Sequence, residues 1–382
     1  MTKLDADFSL ALVGDLSFEG PRADRPTPEW FGAIAPTLRK ADLTIGNLES
    51  PLVEGGIAIP GKCTLRGTTK WASVLREAGI GLVTLANNHT MDYGPDGLRS
   101  TIQALTEAGI QFVGAGLDST QACAPALVDV RGLRVACLGR TAVIVDAPTR
   151  AGRRTPGIAW LDHDETRSAI RRCRQQADLV LLLLHWGLEE YRYPSPAQRR
   201  LARDLAGVGA DVIVGHHPHV VQGIERIGSS VVVYSLGNFL FSNFEWQYRL
   251  KNGLPVKTTS ILAEENRQGL LVQLTRSPDR RVALQLHPTR IDPQHGVQLD
   301  PALTRTDEMH ALSGALDKAL YRPWWYTYAV RREWALRLGR TLSLRRLLTR
   351  LHKLRLHHLL ELVASLRRST KIVSERSTNP YE

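Results

Sequence analysis

Asp15, Glu49, His89, His185, His217 and His219 are the side chains with chemistry to offer, and each follows a short apolar run. Asp15 ends VGD, and Asn47 and Glu49 lie in IGNLES. Asn87, Asn88 and His89 form the end of LANNH, with Asp92 three residues on. His185 directly follows LLLL, His216, His217 and His219 follow DVIVG, and Asn238 follows VVVYSLG. Carboxylate, amide and imidazole form the ligand set for Mn²⁺, Fe or Zn²⁺, and no CxxC thiolate pair competes with them. Two such ions held together usually share a bridging carboxylate, which Glu49 could supply. Singly, each residue has a plainer reading. Asp15 suits a turn or helix cap, Glu49 a solvated loop acid, and His185 a satisfied structural histidine. Three histidines in four positions after a buried strand are harder to explain without a site. The set as a whole points to a metal centre, against the alternative of a polar network at a sheet edge with no ion.

Strands must bring these residues together, and the first 240 residues alternate strand-length apolar runs with helical stretches. Phe8–Val13, Leu43–Ile45, Leu82–Leu85, Arg134–Leu138, Leu179–Leu184, Asp211–Val214 and Ser230–Tyr234 read as strands. Glu29–Lys40, Lys70–Ala78, Gly97–Ala108, His163–Gln175 and Pro196–Gly207 read as helices. Continuous hydrophobicity implies strands covered on both faces, as in layered α/β folds, where ligands gather at the carboxyl ends of strands. Ser242–Asn266 reads as a polar surface loop. Arg267–Asp292 reads as two strands joined by the turn Ser277–Arg281.

The runs GD at Gly14-Asp15, NLES at Asn47–Ser50 and TLANNHTMDYG at Thr84–Gly94 occur in a fixed order. HWGLEE at His185–Glu190, GADVIVGHHPHVVQGIE at Gly209–Glu225 and YSLGNFLF at Tyr234–Phe241 continue it. Together they resemble the CapA family of capsule or poly-γ-glutamate biosynthesis proteins, in the calcineurin-like metallophosphatase superfamily. The resemblance implies a four-layer α/β/β/α sandwich over residues 1–292, followed by a helical, basic extension over 293–382. It implies Asp15, Glu49, Asn88, His185, His217 and His219 as ligands of one or two divalent ions. His89 is implied as the acid that protonates a leaving group, with Asp92 to orient its ring. Ser17 stands where the superfamily pattern has a histidine, and Glu49 where it has an aspartate. His216 is a competing candidate beside the ligand pair, and with Arg66 and Asn238 is expected to contact substrate. The implied activity is metal-dependent hydrolysis of a phosphoester or related bond. The alternative is a non-catalytic factor that uses the cleft to handle a polymer or partner.

The chain of 382 residues carries a formal charge of +11. Residues 321–382 hold 14 Lys/Arg against 4 Asp/Glu, so the body is almost neutral and one tail is basic. An anionic substrate or polymer must therefore be held by metal and a few local cations. Leu344, Leu347, Leu348, Leu351 and Leu354 recur at helical spacing among arginines, after Trp324, Trp325, Tyr326 and Tyr328. That pattern suits peripheral membrane contact through 321–368, or packing on the body or another subunit. It lacks the aromatic-studded basic groove of a nucleic-acid binder, so nucleic acid is not the expected partner. Four cysteines without CxxC spacing, no basic-then-apolar start and no run of ~18–20 apolar residues set the expectation of a cytoplasmic protein.

Overall fold

In the run at 179–184, Leu179, Leu181 and Leu183 pack between two sheets, while Val180, Leu182 and Leu184 pack against helices. Strand side chains alternate faces with period two, so an unbroken apolar run is a strand buried on both sides. The computed structural model describes residues 8–20, 22–60, 62–143, 149–249, 255–276, 282–294, 296–300 and 304–341.

Strands β1 (Ser9–Leu16), β2 (Leu43–Leu48), β3 (Ile80–Thr84) and β4 (Gln111–Val113) run parallel in the first sheet. Next come β5 (Ala115–Gly116), β6 (Ala126–Val130), β7 (Leu133–Thr141) and β8 (Gly157–Ile158), of which β5 and β8 pair only with each other. With β9 (Leu179–His185), β10 (Val212–His216), β11 (Ile224–Ile227) and β12 (Ser230–Val233), the second sheet has the order β11-β12-β10-β9-β7-β6. The chain then returns to the first sheet through β13 (Asn238–Leu240), which lies parallel to β1. After β14 (Phe244–Arg249) and β15 (Pro255–Ser260) come β16 (Gln268–Arg276), β17 (Val282–Ile291) and β18 (Val297–Leu299). These last three give the first sheet its order β18-β17-β16-β1-β2-β3-β4.

Helices α1 (Ala35–Lys40), α2 (Trp71–Ala78) and α3 (Gly94–Glu107) bury Leu38, Trp71, Leu75, Leu98 and Leu105 on the outer face of the first sheet. The short α4 (Ser119–Cys123) is followed by α5 (His163–Arg174) and α6 (Pro196–Gly207), which cover the outer face of the second. Asp162 caps α5, and Ser195 with Gln198 forms a reciprocal capping box on α6, which explains their sharp starts. The layers are therefore α/β/β/α, as expected. The stretch Glu29–Lys40 divides into a 3-10 turn at Pro28–Phe31 and α1, because Pro36 has no N–H to continue a helix through Gly32.

Two segments differ from their sequence reading. Ser242–Asn266 is not an irregular loop: β14 and β15 form an antiparallel ribbon with Phe244 opposite Ser260 and Trp246 opposite Thr258. Its alternation in FEWQYR is of strand type, but the many polar residues around it conceal the period. The sheet also runs past 292, since Val297–Leu299 pairs with β17. Beyond it come α7 (Thr304–Gly314), a 3-10 turn at Ala315–Asp317 and α8 (Tyr321–Thr341), and the turn and α8 bring Leu316, Tyr321, Trp325 and Ala329 into the helix-side core of the second sheet. The aromatic run expected at a membrane surface thus has Trp325 fully enclosed and Tyr321 buried, because their rings close the apolar face of the body. The leucine-rich part of that expectation, 342–368, lies outside the described residues. No described helix is long and apolar enough to cross a membrane.

Candidate functional site

Strand register sets the site. Asp15, near the end of β1, pairs with Asn47 on β2 and with Asn238 on β13. His216, ending β10, pairs with His185, ending β9. Parallel strands deliver their carboxyl ends to one edge, so both sheets present polar residues to the same place. Two glycines permit the close approach. A Cβ on Gly14 would lie 2.0 Å from the Gly237 carbonyl oxygen, and one on Gly215 would lie 1.9 Å from that of Tyr234.

Asp15 is fully buried and held from several sides. Asn47 Nδ2 donates to its Oδ1 at 2.9 Å, His216 Nδ1 lies 3.1 Å from the same oxygen, and the His217 amide donates to Oδ2 at 3.3 Å. His219 Nδ1 lies 3.4 Å from Asp15 Oδ2, and its Nε2 lies 3.6 Å from Glu49 Oε1. Asn87 stands behind this layer, donating to Asn47 Oδ1 at 3.0 Å and to the Leu48 carbonyl at 2.8 Å. His217 (φ 97°) and His219 (φ 56°) both adopt left-handed backbone conformations. Such residues cost of order 1–3 kcal/mol each and cluster at functional sites.

Two groups of side chains could hold an ion. Asp15, Glu49 and His219 form one, and Glu189, His217 and His219 the other, with ligand atoms within 4.8 Å of one another in each. They share His219. Both oxygens of Glu49, and Nδ1 of His217, are buried with no hydrogen-bond partner among the described residues. A buried carboxylate without donors is costly, and a bound cation satisfies it. The electrostatics fit as well. Burial pushes Glu49 up to about 8, with the Asp15 charge adding to the rise. Burial lowers His217 to about 4 and holds His185 well below the usual range, leaving both imidazoles neutral and able to ligate. His219 rises to about 10: burial opposes its charge, but Glu49 and Asp15 outweigh that. Burial likewise opposes ionisation of Asp15, yet its hydrogen bonds with His216 and His219 hold it well below the carboxylate range. Cys63 nearby is pushed up to about 12 by burial, so no thiolate joins the set.

The groups open into a cleft of about 300 Å³. Glu49, His89, Glu189 and His219 line one part, and Phe241, Phe244, Trp246 and Leu262 another. His89 Nδ1 is 2.8 Å from Asp92 Oδ2. Asp92 is fully buried, accepts from the Leu65 amide at 2.7 Å, and pairs with Lys62, whose Nζ also donates to the Asn88 carbonyl at 2.6 Å.

Of the residues expected to ligate, the structure gathers Asp15, Glu49, His217 and His219. His185 Nε2 and Asn88 Oδ1 lie 2.7 Å apart, and the His185 ring centroid is 4.7 Å from that of His217, so both stand beside the second group. Ser17 bonds Ser50 Oγ at 3.1 Å. The substrate candidates fare differently from expectation. His216 is engaged with Asp15 and is not among the residues that line the cleft. Arg66 does not line the cleft, because its guanidinium is paired with Asp24 at 2.8 Å. Asn238 does line it, but its Oδ1 lies 2.9 Å from His219 Nδ1 and its Nδ2 donates to the Asn266 carbonyl at 2.9 Å. Glu189 and Lys62 were not singled out by the sequence. Glu189 lay in view in HWGLEE, four residues after His185, whereas Lys62 sits in a loop with no pattern to mark it.

A family profile described as "Bacterial capsule synthesis protein PGA_cap" matches residues 9–243, well over half of the chain. The chain is 36% identical over 219 residues to "Capsule biosynthesis protein CapA" of Bacillus anthracis, covering 55% of this chain and 53% of that one. It is 32% identical over 247 residues to "PGA biosynthesis protein CapA" of Bacillus subtilis (strain 168), covering 63% and 65%. It therefore spans less than two thirds of the length of either relative. Among solved structures, the NAD nucleotidase NadN of Haemophilus influenzae aligns at a TM-score of 0.40 and 15% identity. That alignment covers 80% of this chain and 56% of the other, too distant to carry weight here. By the profile match, which spans every strand-end residue of the site, the chain belongs to the bacterial capsule synthesis protein family PGA_cap.

Proposed function

We propose that this chain is a metal-dependent hydrolase of capsule or poly-γ-glutamate biosynthesis, acting on a phosphoester or related bond of an anionic substrate. One observation carries the reading. Glu49 is wholly buried, both its oxygens lack a donor among the described residues, and it faces Asp15 and His219 beneath an open polar cleft. Asp15, Glu49 and His219 would hold one ion, and Glu189, His217 and His219 a second. Divalent ions there supply Lewis-acid polarisation of a substrate oxygen.

The protein's own residues do the rest. Asn47 and His216 fix the Asp15 carboxylate, so its oxygens are preset before substrate arrives. With Nδ1 committed to Asp92, His89 has Nε2 left to protonate a leaving oxygen from the cleft wall. Lys62 and the Leu65 amide hold Asp92, which in turn fixes the imidazole plane. No lysine or arginine is among the described lining residues, so an anionic group would gain its countercharge from the ions. The aromatic side, Phe241, Phe244 and Trp246, would exclude water from one flank.

The test is turnover of an aryl phosphate ester with added Mn²⁺, expected in the wild type and abolished in His219→Ala. Metal-loaded protein that cleaves nothing in a panel of phosphoesters and amides would contradict hydrolysis. The aromatic flank of the cleft, Phe241, Phe244 and Trp246, favours one second reading, a polymer-holding factor without catalysis. Retained binding of poly-γ-glutamate by such inactive protein would support it.

A further inference from the structure

The loop after His185 carries Glu189 to the second ligand group, and the next five residues of that loop are all held by a single helix. Arg332 Nε donates to the Glu190 carbonyl at 3.0 Å, and the Tyr191 hydroxyl donates to Glu333 Oε2 at 3.0 Å. The Arg192 amide donates to the Tyr328 hydroxyl oxygen at 2.8 Å. Trp325 Nε1 donates to the Tyr193 carbonyl at 3.0 Å, and the Tyr321 hydroxyl to that of Pro194 at 2.8 Å. Tyr321, Trp325, Tyr328 and Arg332 follow a spacing of four, three and four, which is one face of α8. Helix and loop thus run alongside each other in opposite directions, with one contact at each successive loop residue.

The same loop is tied to the histidines. Glu190, at φ 63°, donates its amide to the Pro218 carbonyl at 2.8 Å, between His217 and His219. Glu190, next to Glu189, is therefore fixed from both sides: by the histidine turn on one and by α8 on the other. His217 adds an independent pointer to a ligand here, since its Nδ1 is buried without a hydrogen-bond partner among the described residues. Ser17 lies two residues after Asp15 and is turned to Ser50, so any gap it leaves belongs to the group of Asp15, Glu49 and His219.

We propose that Glu189 is a ligand of the second ion, with His217 and His219, and that α8 is the positioning element for the loop that carries it, making the C-terminal extension part of the metal centre. This rests on the metal-centre reading of the cleft. Tyr328 and Arg332 are positioning residues, acting through the loop backbone. Outer partners of metal ligands typically change affinity by about 10–100-fold when removed.

The test is metal content by elemental analysis and Mn²⁺ titration calorimetry on the full chain. The variants are Glu189→Gln, Tyr328→Phe, Arg332→Ala and Arg332→Lys, with circular dichroism to verify folding. Glu189→Gln should retain one equivalent and lose the second. Tyr328→Phe and Arg332→Ala should weaken the second equivalent about tenfold and leave the first unchanged, with Arg332→Lys restoring part of the loss. Wild-type binding of both ions by Glu189→Gln, or by both helix variants, would overturn the role assigned to Glu189 and α8 alone. Wild-type protein that takes up no Mn²⁺ would instead refute the metal centre beneath it, and this inference with it.

Discussion

His89 Nδ1 lies 2.8 Å from Asp92 Oδ2, and the Asp92 carboxylate is fully buried between that ring, Lys62 and the Leu65 amide. The imidazole on the cleft wall therefore has one fixed plane and one nitrogen left for proton transfer. A lone surface histidine would have neither.

Asp92→Asn tests this pairing. It keeps the shape but leaves Lys62 as a buried cation without its counter-charge, at a cost of about 3 kcal/mol in denaturant unfolding. Turnover of an aryl phosphate ester should fall about 100-fold, while bound metal stays at the wild-type level. Unchanged kcat at unchanged metal content would remove His89 and Asp92 from the chemistry.

The metal-free protein should lose stability as pH rises above 7. Burial raises Glu49 to about 8, and Glu49 with Asp15 raises His219 to about 10, so both bind protons more tightly folded than unfolded. That contribution is fully present below their unfolded values, near 4.5 and 6.5, and disappears as pH climbs through the folded ones. Thermal melts in chelator from pH 7 to pH 9, above the range in which the lowered His185 and His217 gain stability with pH, should show a falling Tm, with a shallower fall in Glu49→Gln. A Tm that rises over this range, or an identical slope in the variant, would contradict the assignment.

Metal should reverse that loss. A ligand that binds only the folded state adds about 2.7 kcal/mol at a hundredfold excess over its Kd. Mn²⁺ at pH 8 should therefore raise the Tm of the wild type and leave that of His219→Ala almost unmoved, because His219 belongs to both ligand groups. Equal shifts in the two proteins would point to ions bound elsewhere.

Trp325→Ala should cost about 3–5 kcal/mol in denaturant unfolding, the range for emptying a large aromatic from a core. Trp325 is fully buried beside Tyr191 and also donates to the Tyr193 carbonyl. A loss below ~1 kcal/mol would mean that α8 is not packed on the body.

The layers and the site's position were legible from the chain because both depend on local pattern. Continuous runs such as Leu179–Leu184 mark strands buried on two faces, and Asp15, Glu49, His217 and His219 stand directly beyond such strands. Contacts made across long separations were not legible. Lys62 reaches Asp92 from a loop, and Asp24 captures Arg66 from 42 residues away. The aromatic run that opens the tail left two readings open for a related reason. An aromatic stripe next to arginines fits a membrane surface or a protein core equally well until the facing surface, here Tyr191 to Pro194, is known.

Elemental analysis of wild-type protein purified without chelator tests the metal centre most directly. Two equivalents of Mn, Fe or Zn per chain are predicted, both lost in a His217→Ala, His219→Ala double variant. One equivalent would keep the group of Asp15, Glu49 and His219 and remove the role given to Glu189. No bound ion, with Glu49 simply protonated in its buried position, would contradict the metal centre altogether.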